Sequence, residues 1–149
     1  MARVEASVVI NRPLEEVFAF ASNPENGTRW ASGMLEAEQT TDGSIGVGAR
    51  FRGVVQLFGQ RIEWASEVTA YQANRKVEFK IDAGPLMLKE SLAFEPLEGG
   101  TRVTLADQWE PGGFVGVPKR IAVRIWKRQV EGNLAKLKDI LEAQAEAAG

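Results

Sequence analysis

Apolar and polar residues alternate through most of the chain in a way that predicts β-strands. The first such stretch covers residues 4–10, and others follow at about 34–41, 49–58, 61–71, 76–82, 87–95 and 101–110. Successive side chains of a strand point to opposite faces, so this alternation is typical of strands with one buried face. The pattern therefore predicts about seven strands, separated by turns rich in Gly, Asn, Asp and Pro.

Two regions follow a helical period instead. A short helix is predicted after Pro13, and Asn23–Pro24 ends it and begins a second one that reaches about Trp30. A long helix is predicted over residues 118–147, after a break at Gly112–Gly113, and it would be about 45 Å long. Its apolar residues recur at intervals of three and four: Val123, Trp126, Val130, Leu134, Leu137 and Leu141.

The turns allow the strands to be assembled into a sheet. Hairpins closed at Gly59–Gln60, 72–75, 83–86 and 97–100 set apolar residues opposite apolar residues on one side, with Leu57 facing Ile62 in the first. The other side carries mostly Arg, Lys and Glu. Because a slip of one residue would invert a strand, this agreement predicts a curved antiparallel meander with one wet face. The long helix covers the apolar face, which gives an α+β architecture.

The amino-acid composition excludes several kinds of chemistry. The 149 residues include no Cys and no His, which rules out disulfides, thiolate nucleophiles, Cys/His zinc sites and a histidine general base. The net charge of -2 gives no reason to expect nucleic acid, and no apolar run is long enough for stable membrane insertion. We expect residues 1–149 to form a single domain, located in the cytoplasm, that uses neither a metal nor a cofactor.

Two carboxyl groups are anomalous in the predicted register. Glu90 and Asp107 both fall on the apolar face, directly opposite each other, where repulsion and burial disfavour both ionised forms. The long helix offers little to offset them, because its cations lie on its outer side. The pair could share a proton and either hold a ligand hydroxyl or carbonyl or act as acid and base. Alternatively, one or both lie at a hydrated mouth, or a bulge turns one outward.

Aromatic and small residues bear on whether the space between sheet and helix is filled. Phe51, Trp64, Phe79 and Trp109 point inward, and Trp30 and Trp126 can close the ends. These aromatic residues can equally form a packed core. Small residues on both layers favour open space instead, and they are Gly53, Ser66 and Ala70 on the strands and Gly132 and Ala135 on the helix.

Two further patterns carry less weight. The long helix has a cluster of cations that could touch an acidic partner or anionic lipid, although a solvated helix face explains it as well: Lys119, Arg120, Arg124, Lys127 and Arg128. Residues 44–48 resemble a Gly-rich phosphate loop only loosely. They join two strands and open no helix, so we reject that interpretation.

Three stretches of sequence carry a resemblance to a known superfamily. They are residues 10–13 with Val17, Phe18 and Asn23–Pro24 up to Trp30, then residues 46–51, and residues 99–104. With the order of strand, two short helices, six strands and one long helix, the chain resembles the START-like (SRPBCC, helix-grip) superfamily. This superfamily includes the birch-pollen-allergen-like proteins and the polyketide cyclase/dehydrase and lipid-transport group.

The resemblance implies a cavity that binds a lipid, polyketide or other small hydrophobic molecule between the sheet and the long helix. We expect the protein to be a monomer or homodimer. The candidate ligand-binding residues are Trp30, Phe51, Val55, Trp64, Phe79, Leu88, Glu90, Leu92, Asp107, Trp109, Ile125 and Gln129. Within this set, Glu90, Asp107 and Gln129 would orient a polar group of the ligand. The alternative is a cyclase or dehydratase that uses Glu90 and Asp107 as its acid and base. A third possibility is a protein-interaction module that uses the basic helix face.

Overall fold

A computed structural model describes residues 2–57, 59–110 and 117–148. Its elements agree with the predicted order, and the α+β helix-grip fold is confirmed. The strands are β1 (Ala2–Ile10), β2 (Met34–Gln39), β3 (Arg50–Leu57), β4 (Gln60–Gln72), β5 (Lys76–Ala83), β6 (Leu86–Leu97) and β7 (Gly100–Trp109). The helices are α1 (Leu14–Ala21), α2 (Gly27–Trp30) and α3 (Lys119–Ala148), with a 3-10 turn at Pro24–Asn26 before α2. Phe58 and the predicted break at Gly112–Gly113 lie outside the described residues.

The seven strands form one antiparallel sheet in the order β1-β7-β6-β5-β4-β3-β2. Its outer face carries cross-strand ion pairs, such as Arg50–Glu67 at 3.1 Å and Arg102–Glu95 at 3.1 Å. Its inner face supplies buried apolar side chains that pack with those of α1 and α3. The predicted separation into a wet face and an apolar face is therefore confirmed.

The predicted register is right for most of the meander and wrong in one hairpin. Val68 pairs with Phe79, Leu92 with Leu105, and Glu90 with Asp107, as predicted. In the first hairpin Leu57 pairs with Gln60 and not with Ile62, so the strands are shifted by two residues from the predicted register. Side chains alternate with a period of two, and this shift therefore leaves the residues that β3 and β4 pair in this hairpin on their predicted faces.

A bulge in β4 changes the orientation of one predicted inward residue. The register shifts between Val68 and Ala70, and Ala70 then pairs with Glu78 on the charged face of the sheet. Tyr71 takes the inward position and packs edge-on against Phe18, with ring centroids 5.6 Å apart. Ala70 therefore leaves no space on the inner face, because the extra residue at the bulge changes the face to which each following side chain of β4 points.

The C-terminal half of α3 is fastened to β1. Leu134, Leu137 and Leu141 are fully buried. At the edge of this contact, Lys138 Nζ donates to the carbonyl oxygen of Val9 at 2.9 Å, and Glu142 Oε2 accepts the Asn11 N–H at 2.9 Å. The N-terminal half of α3 continues from this anchored segment across the inner face of the sheet, where it faces strands β3 to β7.

Candidate functional site

A cavity of about 160 Å³ lies between the inner face of the sheet and the N-terminal half of α3. Its walls come from β3 to β7, from α2 and the chain that follows it, and from α3 between Trp126 and Asn133. An apolar cavity of about 150 Å³ is large enough to bind benzene. This cavity can therefore hold a small aromatic group.

Most of the predicted ligand-binding residues line this cavity. They are Trp30, Val55, Trp64, Phe79, Leu88, Glu90, Leu92, Asp107 and Gln129. Sequence reasoning found them because each has the inward parity of its strand, apart from Trp30 and Gln129, which lie on helices. Their role in binding remains a prediction.

Three predicted residues lie elsewhere. Phe51 is fully buried in the core and does not line the cavity. Trp109 is also buried, and its ring meets that of Trp126 edge-on, with centroids 6.1 Å apart. Ile125 is 41% exposed, because successive helical residues are rotated by about 100° and Ile125 falls on the side of α3 away from the sheet.

The small residues that favoured open space contribute less than predicted. A Cβ at Gly53 would lie 1.9 Å from the Glu36 carbonyl oxygen and 2.6 Å from the Trp64 ring, so the space beside this glycine is already filled. Gly132 and Ala135 are exposed on the outer side of α3. Only Ser66 of the predicted small residues lines the cavity.

The carboxyl pair lies in the cavity wall as the register predicts. Asp107 is 1% exposed, and Glu90 is half-buried beside it on the neighbouring strand. The β6–β7 register is continuous through this pair, so no bulge turns either residue to the wet face. Two acidic side chains therefore lie together on an otherwise apolar wall.

Burial controls the protonation of this pair. Burial raises the pKa of Asp107 to about 6, while its side-chain interaction with Glu90 and the hydrogen bond from Trp126 oppose that rise. Burial, followed by repulsion from Asp107, raises the pKa of Glu90 well above its ordinary value. Both carboxyl groups therefore stay protonated to higher pH than exposed carboxyls would, and they titrate as a coupled pair.

Trp126 offsets the buried charge, which sequence reasoning did not foresee. Its indole N–H donates to Asp107 Oδ2 at 2.8 Å. The helix was expected to offer little relief because its cations lie outside, but an uncharged donor serves instead. The signal in the sequence was an indole on the apolar stripe of α3, close to where that stripe crosses the acidic pair.

One wall of the cavity is thin. Residues 30–32 and the Gln129–Asn133 segment of α3 line both the cavity and a surface groove of about 720 Å³. Two hydrogen bonds close this wall: the Ser32 N–H donates to Asn133 Oδ1 at 2.9 Å, and Gln129 Nε2 donates to the Ser32 carbonyl oxygen at 3.3 Å. A single stretch of backbone therefore separates the interior from the outer groove.

Other candidate features remain on the surface. The five cations at the start of α3 are all exposed. Within residues 2–57, 59–110 and 117–148, no group of three or more acidic side chains is placed to hold a metal ion. No helix in the described part of the chain is long and apolar enough to cross a bilayer.

Solved structures share this fold at low sequence identity. The Zhui aromatase/cyclase from Streptomyces sp. R1128 superposes with a TM-score of 0.79 at 16% identity, over 99% of this chain and 97% of that one. TTHA0849 from Thermus thermophilus gives 0.77 at 21% identity, over 95% and 98%. Ara h 8.0201 gives 0.70 at 13% identity, over 95% and 97%.

The sequence itself identifies the family. No curated protein matches the chain. A family profile described as polyketide cyclase / dehydrase and lipid transport matches residues 1–142, which is nearly the whole chain. Together with the helix-grip fold, this match confirms the predicted resemblance. The chain belongs to the polyketide cyclase/dehydrase and lipid-transport family.

Proposed function

We propose that this protein binds and carries a small hydrophobic molecule in the cavity between the sheet and α3. The cavity itself carries the proposal, because its wall is mostly apolar and aromatic and includes a few polar side chains, among them Glu90, Asp107 and Gln129. Small-molecule sites in proteins have this composition, because apolar walls supply affinity and a few polar groups fix orientation. Membership of a family that includes lipid-transport proteins also supports it.

Saturable binding of an apolar probe tests the proposal. An uncharged naphthalene dye, titrated into the purified protein, should give a single saturating site. Native mass spectrometry of freshly purified protein should show retained small-molecule mass. A protein that binds no apolar probe and retains no mass would refute a carrier role.

A matched pair of substitutions locates the binding site. Ser66→Leu places additional volume in the cavity, whereas Ala65→Leu makes the same replacement on the exposed face of the same strand. We expect Ser66→Leu to weaken probe binding at least tenfold and Ala65→Leu to leave it unchanged. If Ser66→Leu does not fold, Val55→Phe fills the cavity from its edge and serves the same purpose.

A cyclase or dehydratase is the second candidate function. The opposed carboxyls favour it, because burial raises the pKa of both groups, and one carboxyl of such a pair can act as an acid while the other acts as a base. The amide variants Glu90→Gln and Asp107→Asn should then abolish turnover of a polyketide-like substrate and retain apolar binding. Turnover that survives in both variants would exclude this role for the pair.

We also propose that residues 1–149 form one ligand-binding domain, which acts in the cytoplasm as a monomer or homodimer. Size-exclusion chromatography with light scattering tests the assembly state. Cell fractionation tests the location.

A further inference from the structure

The charges on the cavity wall all have one sign. Among the described residues that line the cavity, Glu90 and Asp107 are the ionisable ones, and neither lysine nor arginine joins them. Asp107 is 1% exposed, so water does little to screen the pair. A bound carboxylate would meet this pair with no cation to balance it.

Three buried polar atoms in the wall have no hydrogen-bond partner within the described part of the chain. They are Asp107 Oδ1 and the indole nitrogens of Trp30 and Trp64, whose residues are 8% and 7% exposed. A buried polar atom without a partner is destabilising, and native proteins rarely leave one unexplained. All three residues line the same cavity, so a ligand bound there lies beside each of them.

The chemistry that a ligand needs follows from these atoms. The indoles donate and accept nothing, so they require an acceptor such as a carbonyl or ether oxygen. The ionised carboxyl accepts, so it requires an O–H or N–H donor. The indoles belong to α2 and β4, whereas the carboxyls belong to β6 and β7, so donor and acceptor lie on separate parts of the ligand.

We propose that the cavity selects a neutral or cationic apolar molecule that presents a hydroxyl or ammonium donor to Glu90 and Asp107 and an oxygen acceptor to Trp30 or Trp64, and that it rejects carboxylates such as fatty acids. This inference rests on the proposed ligand-binding function. It goes beyond that function because it divides hydrophobic molecules into those that bind and those that do not.

One molecular skeleton with one variable group tests the selection. The probes are 4-phenylbutan-2-one and its para-substituted hydroxy, aminomethyl, methoxy and carboxy derivatives, each titrated at pH 7 into the 15N-labelled protein and followed by amide chemical shifts. The hydroxy and aminomethyl probes supply a donor as a neutral group and as a cation, respectively. The methoxy probe removes the donor, and the carboxy probe replaces it with an anion.

We expect the hydroxy or aminomethyl probe to bind about tenfold more tightly than the methoxy probe, because a hydrogen bond to a charged group contributes on that order. The carboxy probe should bind at least tenfold more weakly than the methoxy probe. The better of the two donors shows whether the natural ligand is a hydroxyl compound or an amine. In addition, 4-butylphenol, which lacks the ketone oxygen, should bind less tightly than the hydroxy ketone.

Variants assign the selection to particular atoms. The double variant Glu90→Gln, Asp107→Asn should reduce the ratio between hydroxy and carboxy affinities at least tenfold, whereas Glu95→Gln, on the wet face, should leave it unchanged. Trp30→Phe combined with Trp64→Phe should remove the advantage of the ketone oxygen. The wild-type titrations decide the question even where a variant fails to fold.

The outcomes separate this inference from the function on which it rests. Equal binding of the carboxy and hydroxy probes overturns the selection and leaves a carrier of apolar molecules standing. Selection that persists unchanged in the double variant overturns the role of the carboxyl pair. Failure of every probe, including unsubstituted 4-phenylbutan-2-one, together with failure of the apolar dyes, overturns both proposals.

Discussion

Replacing the carboxyl pair by amides should stabilise the empty protein at neutral pH. A group whose pKa is raised by folding binds more protons in the folded state than in the unfolded state. Stability therefore falls as pH increases from the unfolded pKa to the folded pKa. For Asp107 this interval runs from the ordinary value of 3.8 to about 6. The wild-type protein should thus lose stability between about pH 4 and pH 6, and the loss should persist at higher pH.

The size of the effect follows from the shift. One pKa unit corresponds to about 1.4 kcal/mol, so a rise of about two units destabilises the folded protein by about 3 kcal/mol at pH 7 and by progressively less as the pH falls toward 4. Glu90 adds to this trend in the same direction, because its pKa is also raised. The two groups titrate together, so the double variant Glu90→Gln, Asp107→Asn is the better test.

Urea unfolding followed by tryptophan fluorescence, at several pH values from 4 to 8, measures this effect. The difference in free energy of unfolding between the double variant and wild type should increase with pH by at least about 2 kcal/mol, and it should continue to increase over the range in which Glu90 titrates. Any penalty of the amides that does not depend on pH cancels in this comparison. Glu95→Gln, on the wet face, is the control and should show no such increase. A difference that is constant from pH 4 to pH 8, or that decreases as pH rises, would refute the account of the pair.

Three other predictions address separate features. Trp126→Phe removes a donor that lowers the pKa of Asp107, so that pKa should rise above about 6, as measured by carboxyl carbon NMR; an unchanged value would contradict the hydrogen bond. Gly53→Ala should lower the free energy of unfolding by about 2 kcal/mol or more, because its Cβ meets backbone and ring atoms, whereas Gly46→Ala, with nothing within 4 Å, should change it by less than about 0.5 kcal/mol in urea unfolding. Glu142→Gln should lower the free energy of unfolding by about 1 kcal/mol at pH 7. Because hydrogen bonds from Asn11 and Lys138 hold the pKa of Glu142 below its ordinary value, this loss should shrink as pH falls below about 4, and Glu146→Gln, which is exposed, should show neither effect.

The sequence predicted the sheet well because alternation and turns constrain each other. The parity of Phe79, Glu90, Leu92 and Asp107 was enough to place them on one face, and no distance information was needed. The prediction of which face each residue occupies also held where the turn was misplaced, because a shift of two residues leaves Leu57 on the same face of the sheet. The predicted face of Ala70 was wrong, because nothing in the local sequence pattern marks the extra residue at the bulge.

The cavity was harder to predict than the sheet. Its existence was inferred from the family resemblance and from small residues, yet Gly53 leaves space that the Trp64 ring fills and Gly132 faces outward. Space between layers depends on how far α3 stands from the sheet, and tertiary packing sets that distance. The same holds for the hydrogen bond from Trp126 to Asp107 and for those that join Ser32 to α3. Side-chain direction on a helix is periodic, but its contacts depend on the exact angle at which the helix docks.

The division of α3 into two halves bears on how this protein can evolve. The C-terminal half, which contains Leu134, Leu137 and Leu141, packs against β1 and supports folding. The segment from Trp126 to Asn133 lines the cavity on the side that faces the sheet, and it takes little part in the packing against β1. Substitutions of sites more than about 7–10 Å apart usually act additively on stability. Substitutions in the segment from Trp126 to Asn133 can therefore change which ligand the cavity accepts, while the C-terminal half of α3 preserves the fold. One continuous helix thus separates the residues that must be retained from those that are free to diversify.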